Sequence, residues 1–200
     1  KLNEVVITGA LKQVTKLESV TPVDVYTAKF FQRNPVTNLF DGLYSVPGLF
    51  ADVDNGVSNT TDVQINGLEG NYTMYLIDGV PALSSLAGMY AINAFPMNII
   101  DKVEVVKGAS STLYGSEAMA GVINIKTKDP RSAPRFSANV YLTSMLESYA
   151  DFSTKYKLGK ATAMLSVGTE NFNTKWDVDK DGFLDIPYIN RFNIYNKVAL

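Results

Sequence analysis

The chain has no cysteine and no histidine among its 200 residues. The first absence excludes a disulfide framework and a thiol nucleophile. The second excludes a Ser-His-Asp triad and an imidazole metal ligand. Charge is sparse as well. Eighteen Lys and Arg stand against 20 Asp and Glu, a net charge of −2, and charged residues make up 19% of the chain, below the roughly 25% usual in soluble domains. With no basic run interleaved with aromatics, nucleic acid is not an expected partner. No stretch of about 20 apolar residues occurs, so no bilayer-spanning helix is expected. No signal peptide is visible; the chain begins abruptly at Lys1, and a cleaved leader would leave no trace.

What is present is 46% apolar, enough for a sizeable core. Residues 1 to about 128 read as short strands, one helix and many glycine turns. EVVITG (4–9) and VDVYTAKF (23–30) are apolar strands. In NPVTNLFDGLYSVPG (34–48), Val36, Leu39, Phe40 and Leu43 share a helical face. Asn34 is the expected N-cap, Pro35 suits the first helical position, and Pro47-Gly48 ends the helix. DVQING (62–67) and MYLIDG (74–79) are strands closed by Asn66-Gly67 and Asp78-Gly79, turn pairs in which glycine takes positive φ cheaply. On these residues alone the first part is a small mixed sheet with a covering helix.

After Asp129-Pro130 the pattern changes. In RFSANVYLTSM, Phe136, Ala138, Val140 and Leu142 alternate with Ser137, Asn139, Tyr141 and Thr143. YADFSTKYKL sets Ala150, Phe152, Thr154, Tyr156 and Leu158 against Asp151, Ser153, Lys155 and Lys157. TAMLSVG alternates likewise, and RFNIYNKVAL places Phe192, Ile194, Val198 and Leu200 on a face broken by Asn196. Such strands, apolar on one side and wet on the other, suit an outer-membrane β-barrel wall. They also suit a soluble sandwich, and periodicity does not choose between the two. The connection LGKA (158–161) is tight and that over 169–190 is long and polar. Barrels have short periplasmic turns and longer outer loops, so parity would place 169–190 outside. Four strands cannot close, and a barrel must close to lose its edges.

VEVVKGASSTLYGSEAMAGVINIKTK (103–128) resembles the end of the plug domain of TonB-dependent outer-membrane receptors. The resemblance rests on Lys107-Gly108, Leu113-Tyr114-Gly115, Gly121-Val122-Ile123-Asn124-Ile125 and Thr127-Lys128. Upstream, NLFDGLYSVPGL, INGLEGNYTMYLIDGVP and FPMNIIDKVEVVKG follow in the family's order. The match covers nearly all of residues 4 to 128. Its implied fold is an α+β plug, a small mixed sheet with short helices, followed by antiparallel strands of a 22-stranded transmembrane β-barrel that this chain leaves incomplete. The implied organisation is a TonB-box-like segment at 1–10, a plug at 11–130 and the first barrel strands at 131–200. The small residues between Ala109 and Gly121 fit a stopper whose backbone approaches a surrounding wall closely.

The resemblance further implies an active transporter, not an enzyme, in the bacterial outer membrane, with its plug toward the periplasm. It would import a scarce large nutrient such as cobalamin, haem or an iron-siderophore, with a lean to cobalamin. NEVVITG would be the TonB box, with Glu4, Val5, Val6, Ile7 and Thr8 adding a strand to TonB, the energy-transducing partner. Ser84, Ser85, Met89, Tyr90 and Asn93 would meet the metal-chelate or corrinoid ligand at the plug apex. Glu104, Lys107 and Asn66 would contact the barrel. The family commonly has Arg at the positions of Asn66 and Lys107, Pro at Ala109 and Gly at Ala120, which weakens that carry-over. Outer-membrane lipid and a surface lipoprotein complete the expected partners.

In DVDKDGFLD, Asp177, Asp179, Asp181, Gly182 and Asp185 match positions 1, 3, 5, 6 and 9 of a calcium loop. Tyr188 replaces the bidentate glutamate and no helices flank the loop, so it is not an EF-hand. A looser calcium site at Asp177, Asp179, Asp181 and Asp185 is the expectation. The competing reading of the whole chain is a soluble calcium-binding β-module or surface adhesin domain.

Overall fold

The computed structural model describes residues 5–6, 8, 14–15, 19, 21–33, 36, 38–55, 60–82, 92, 95–110, 114–115 and 118–200. β1 (Val5–Val6) and β2 (Val14–Thr15) form a two-stranded antiparallel ribbon. β3 (Val23–Thr27) leads into α1 (Ala28–Arg33), and α2 (Leu39–Leu43) follows. β4 (Leu49–Asn55) and β5 (Thr60–Ile65) make a second antiparallel pair. β6 (Thr73–Ile77), β7 (Val80–Pro81), β8 (Ile100–Lys107) and β9 (Gly121–Thr127) join β3 in a five-stranded sheet, ordered β3-β8-β9-β6-β7. Only β6 and β9 run parallel in it, so the sheet is mixed.

β9 is buried along almost its whole length, as a central strand covered on both faces must be. Ile123 and Ile125 point into the main core with Phe40, Leu43, Ile65, Val103 and Val105. Val122 points the other way, into a second cluster with Val6, Val23, Met74, Leu76 and Val106. Asn124 shares the side of Val122, a polar residue between Ile123 and Ile125.

The helical segment differs from expectation. Residues 34 and 35 lie outside the described residues, and the observed helix begins later, capped by Asn38, whose Oδ1 accepts the Asp41 amide at 3.0 Å. Asn38 Nδ2 returns a bond to Asp41 Oδ2 at 2.9 Å, a reciprocal pair that fixes the first turn. The strand expected over 23–30 stops at Thr27, because Ala28 to Arg33 turn helical and bury Phe31 against the core. The turn pairs are as expected: Asn66-Gly67 has φ of 53° and 83°, and Asp78-Gly79 has 53° and 88°, the two positive values a type I′ hairpin needs.

β10 (Phe136–Leu142), β11 (Ser148–Leu158), β12 (Ala161–Phe172) and β13 (Ile189–Ala199) form one antiparallel sheet in chain order. Its polar side faces the N-terminal unit, where Asp151, Ser153, Ser166 and Glu170 are buried and Met164 enters the main core. Its apolar side is bare: Val140 is 77% exposed, Phe192 69% and Ile194 64%. A soluble sandwich hides that side against a second sheet; among the described residues nothing covers it here. The inversion is that of a barrel wall. On the bare side Asn196 Nδ2 donates to the Tyr156 hydroxyl at 2.8 Å, reaching from β13 over β12 to β11.

Gly121 opens β9 where the sheet is tightest. A Cβ there would lie 2.2 Å from the Val106 carbonyl oxygen and 2.9 Å from Ile65. We expect Gly121→Ala to cost about 2–4 kcal/mol, read as a lower urea midpoint for unfolding of residues 1–130 within the full-length protein. An unchanged midpoint would mean the backbone shifts freely there.

Candidate functional site: a docked N-terminal strand and a plug–wall clamp

The second core cluster covers a buried polar knot. Glu104 on β8 and Asn124 on β9 are cross-strand partners, and both are fully buried. Glu104 Oε2 accepts from the Thr8 amide at 3.1 Å and the Thr8 hydroxyl at 2.6 Å. Glu104 Oε1 lies 3.0 Å from Lys102 Nζ. Asn124 Nδ2 donates to Thr8 Oγ1 at 3.0 Å and reaches Glu104 Oε2 at 3.5 Å. The Tyr114 hydroxyl donates to the Thr8 carbonyl at 3.0 Å. Burial, and then the Glu104 charge, hold the Tyr114 phenol above its usual value, so it remains a donor at physiological pH. A buried carboxylate is tolerated only with such partners.

This knot holds the segment expected to bind TonB. Glu4 and Ile7 lie outside the described residues. Val5 and Val6 pair with Thr15 and Val14, Val6 is fully buried, and Thr8 is 1% exposed. In this state the strand is folded onto the plug, so it must leave before it could add to another sheet.

A second network joins the N-terminal unit to the wall. Asp78, in the β6–β7 turn, accepts from Lys197 of β13 at 2.8 Å and from the Thr127 amide at 3.0 Å. It also lies 3.4 Å from Lys126. Burial alone would raise its pKa, but the bonds from Lys197 and Thr127 outweigh it and leave the carboxyl below its ordinary value. Nearby, Ser166 Oγ donates to Asn98 Oδ1 at 2.9 Å, Met97 N to the Tyr149 hydroxyl at 3.3 Å, and Phe95 packs edge-on against Tyr195 at 5.6 Å.

The residues expected to touch the barrel find plug partners in this structure. Glu104 is tied to Thr8, Asn124 and Lys102 as above. Lys107 pairs with Asp24 of β3 at 2.9 Å. Asn66 sits exposed in its hairpin turn. Sequence reasoning missed Asp78 and Lys197; Asp78 was read as turn chemistry only, and Lys197 was not singled out in its strand. The apex residues Ser84, Ser85, Met89, Tyr90 and Asn93 lie outside the described residues. In the loop between β12 and β13, carboxylate oxygens of Asp177, Asp179 and Asp181 come within 4.8 Å of one another. Asp185 does not join them; its Oδ2 accepts from Val178 N at 2.6 Å and closes the loop.

A mixed-sheet stopper seated on the polar side of an inverted antiparallel sheet defines the plug-and-barrel class of outer-membrane receptor. Residues 15–122 match the family model described as TonB-dependent Receptor Plug Domain. The chain belongs to that family and is a TonB-dependent receptor, comprising its plug and the first strands of an incomplete barrel. It is 31% identical over 175 residues to the vitamin B12 transporter BtuB of Vibrio vulnificus, a match covering 86% of this chain and 29% of that protein. The solved ferripyoverdine receptor of the outer membrane of Pseudomonas aeruginosa shares its fold with a TM-score of 0.67 at 19% identity, covering 87% of this chain and 23% of that one. The ferric yersiniabactin uptake receptor FyuA of Yersinia pestis gives 0.59 at 22% identity, covering 78% and 25%. The chain thus spans under a third of each of these relatives.

Because Asp78 titrates below its unfolded value, near 3.9, its stabilising contribution is fully present above that pH and is lost as pH falls through the folded value. We expect Asp78→Asn and Lys197→Met each to weaken plug seating by about 1 kcal/mol at pH 7. The wild-type advantage should fade below about pH 4. Urea titration of the full-length protein from pH 7 downward reads this; an advantage that does not shrink as the pH falls through the folded value of this carboxyl would place the stabilisation elsewhere.

Proposed function

We propose that the whole protein is a TonB-dependent active transporter of the outer membrane that imports a scarce, large metal chelate, with cobalamin as the leading cargo. The observation that carries the transporter reading is the N-terminal β-branched strand docked beneath a plug that itself sits on the inner face of an outward-apolar wall. In this reading ligand binds outside, TonB captures the released strand at residues 4–8, and force on it shifts the plug. The seam suits such a shift, since polar contacts such as Asp78–Lys197 and Asn98–Ser166 carry it beside the apolar contacts of Met164 and Tyr195. The lean to cobalamin is supported by the 31% identity to a protein named as a vitamin B12 transporter; the siderophore receptors share the fold at lower identity. The bare apolar wall disfavours a soluble module or adhesin.

Calcium belongs to the same proposal, at Asp177, Asp179 and Asp181. The convergence of their carboxylates supports it, with Asp185 shaping the loop rather than supplying a ligand. The loop's connection to β12 and β13 would then stiffen when the ion binds.

Uptake by an outer-membrane receptor-deficient strain carrying the full-length gene tests the cargo. Labelled cobalamin should accumulate only when TonB is functional, while haem and ferric siderophores should not. Accumulation of a ferric siderophore instead would correct the cargo and keep the mechanism; recovery of the protein in the soluble fraction would end the transporter reading. Millimolar calcium should slow proteolysis between residues 173 and 188, and Asp179→Asn with Asp181→Asn should abolish that protection.

A further inference from the structure

The plug–wall clamp and the docked strand meet at one side chain. Asn124 Oδ1 accepts the Gly79 amide at 3.0 Å, and Gly79 is the residue after Asp78, which holds Lys197 of the wall. The other end of the same carboxamide donates to Thr8 Oγ1 at 3.0 Å. Asn124 is fully buried, so its two ends are constrained together: an amide cannot give up one partner and keep the other without stranding a buried polar atom.

We infer that Asn124 is a positioning residue that couples the seating of the Asp78–Gly79 turn on the wall to the docking of Thr8, and so decides when the N-terminal strand is free. This rests on the reading of residues 4–8 as the partner-binding strand. With Gly79 in place, Oδ1 is fixed and Nδ2 is aimed at Thr8. The Thr8 hydroxyl, accepting from Nδ2, then turns its own proton to Glu104 Oε2. Lys197 is the wall's hold on the turn, while Thr127 and the Ile125 carbonyl hold Asp78 within the plug; a turn that loses Lys197 and tips out of register takes the Gly79 amide from Oδ1, and the carboxamide rotates. Thr8 Oγ1 then loses the bond that oriented it, and Glu104 loses a donor. The network fails as a unit because each bond orients the next. Tyr114 holds only the Thr8 carbonyl, and would not by itself sense the turn.

The chain has no cysteine, so a thiol introduced by Val5→Cys reports on the strand. In the full-length receptor in detergent micelles, its labelling by a maleimide is timed. Asn124→Ala and Thr8→Val should each speed labelling about tenfold. Lys197→Met should speed it in the wild-type background and add nothing to either variant. Thr8→Val keeps the side-chain shape and carries the measurement if Asn124→Ala fails to assemble. Unchanged labelling in the variants, or a Lys197→Met effect that adds in full to theirs, would overturn the coupling. Capture of the TonB periplasmic domain is scored separately: a freed strand that captures none of it would sink the partner reading while the coupling stands.

Discussion

Everything in this molecule follows from a sheet worn inside out. In β10 to β13 the polar residues are the buried ones and the apolar residues are bare. In water that arrangement would be unstable, since exposed Val, Ile and Phe side chains lose the transfer free energy that burial supplies. In hydrocarbon it is the stable one, because the strands satisfy one another's backbone groups and the apolar side meets an apolar solvent. The same inversion dictates what lies within. A stopper against the inner face must meet Ser166, Tyr149, Asp151 and Lys197 with polar groups of its own, as Asn98 does for Ser166 and Asp78 for Lys197. The plug is accordingly held by directed bonds that can be broken one at a time.

Within the plug, the mixed sheet has two unlike faces. The face toward α2 and the β4–β5 pair is a conventional apolar core. The face toward β1 carries Glu104 and Asn124 beside Val106 and Val122. A charged residue at the centre of a sheet is costly unless it is fully partnered, and here much of the partnership comes from Thr8, a residue far away in sequence. The consequence is that the strand containing Thr8 is held by demand as well as by fit. Removing it exposes apolar surface at Val6 and also leaves a carboxylate short of donors. Such a site is well suited to two states, because a docked strand and a hydrated, vacated groove are each self-consistent while half-docked arrangements are not.

Much of this was legible in the chain. The hairpin pairs Asn66-Gly67 and Asp78-Gly79 announced themselves by backbone chemistry. The alternation after residue 134 gave each wall strand and the side of the residues read on it, because the period of two is that of the pleat; the strands run further than expected, since 169–172 and 189–190, read as connection, belong to β12 and β13. What it could not give was the direction of inversion: Phe136, Val140 and Leu142 on one side suit a core as well as a bilayer. The helices were less legible. Ala28 to Arg33 continue the apolar run of β3 without a break, and a short apolar run does not distinguish strand from helix. The cap moved from Asn34 to Asn38 because two Asn residues four apart offer the same chemistry, and only the position of Asp41 decides between them. Asn124 carried a signal that went unused: a lone amide inside Gly-Val-Ile-Asn-Ile must find partners for both its ends. The partners, Gly79 and Thr8, are 45 and 116 residues away, and no local pattern names them.

The bond from Asn196 to Tyr156 crosses β12 on the outward side of the wall. It acts as a guy-line, tying two strands that share no backbone ladder and resisting shear of one past the other. An amide that lost its phenol would stand unpaired on an otherwise apolar surface, where it finds no second partner to replace the bond.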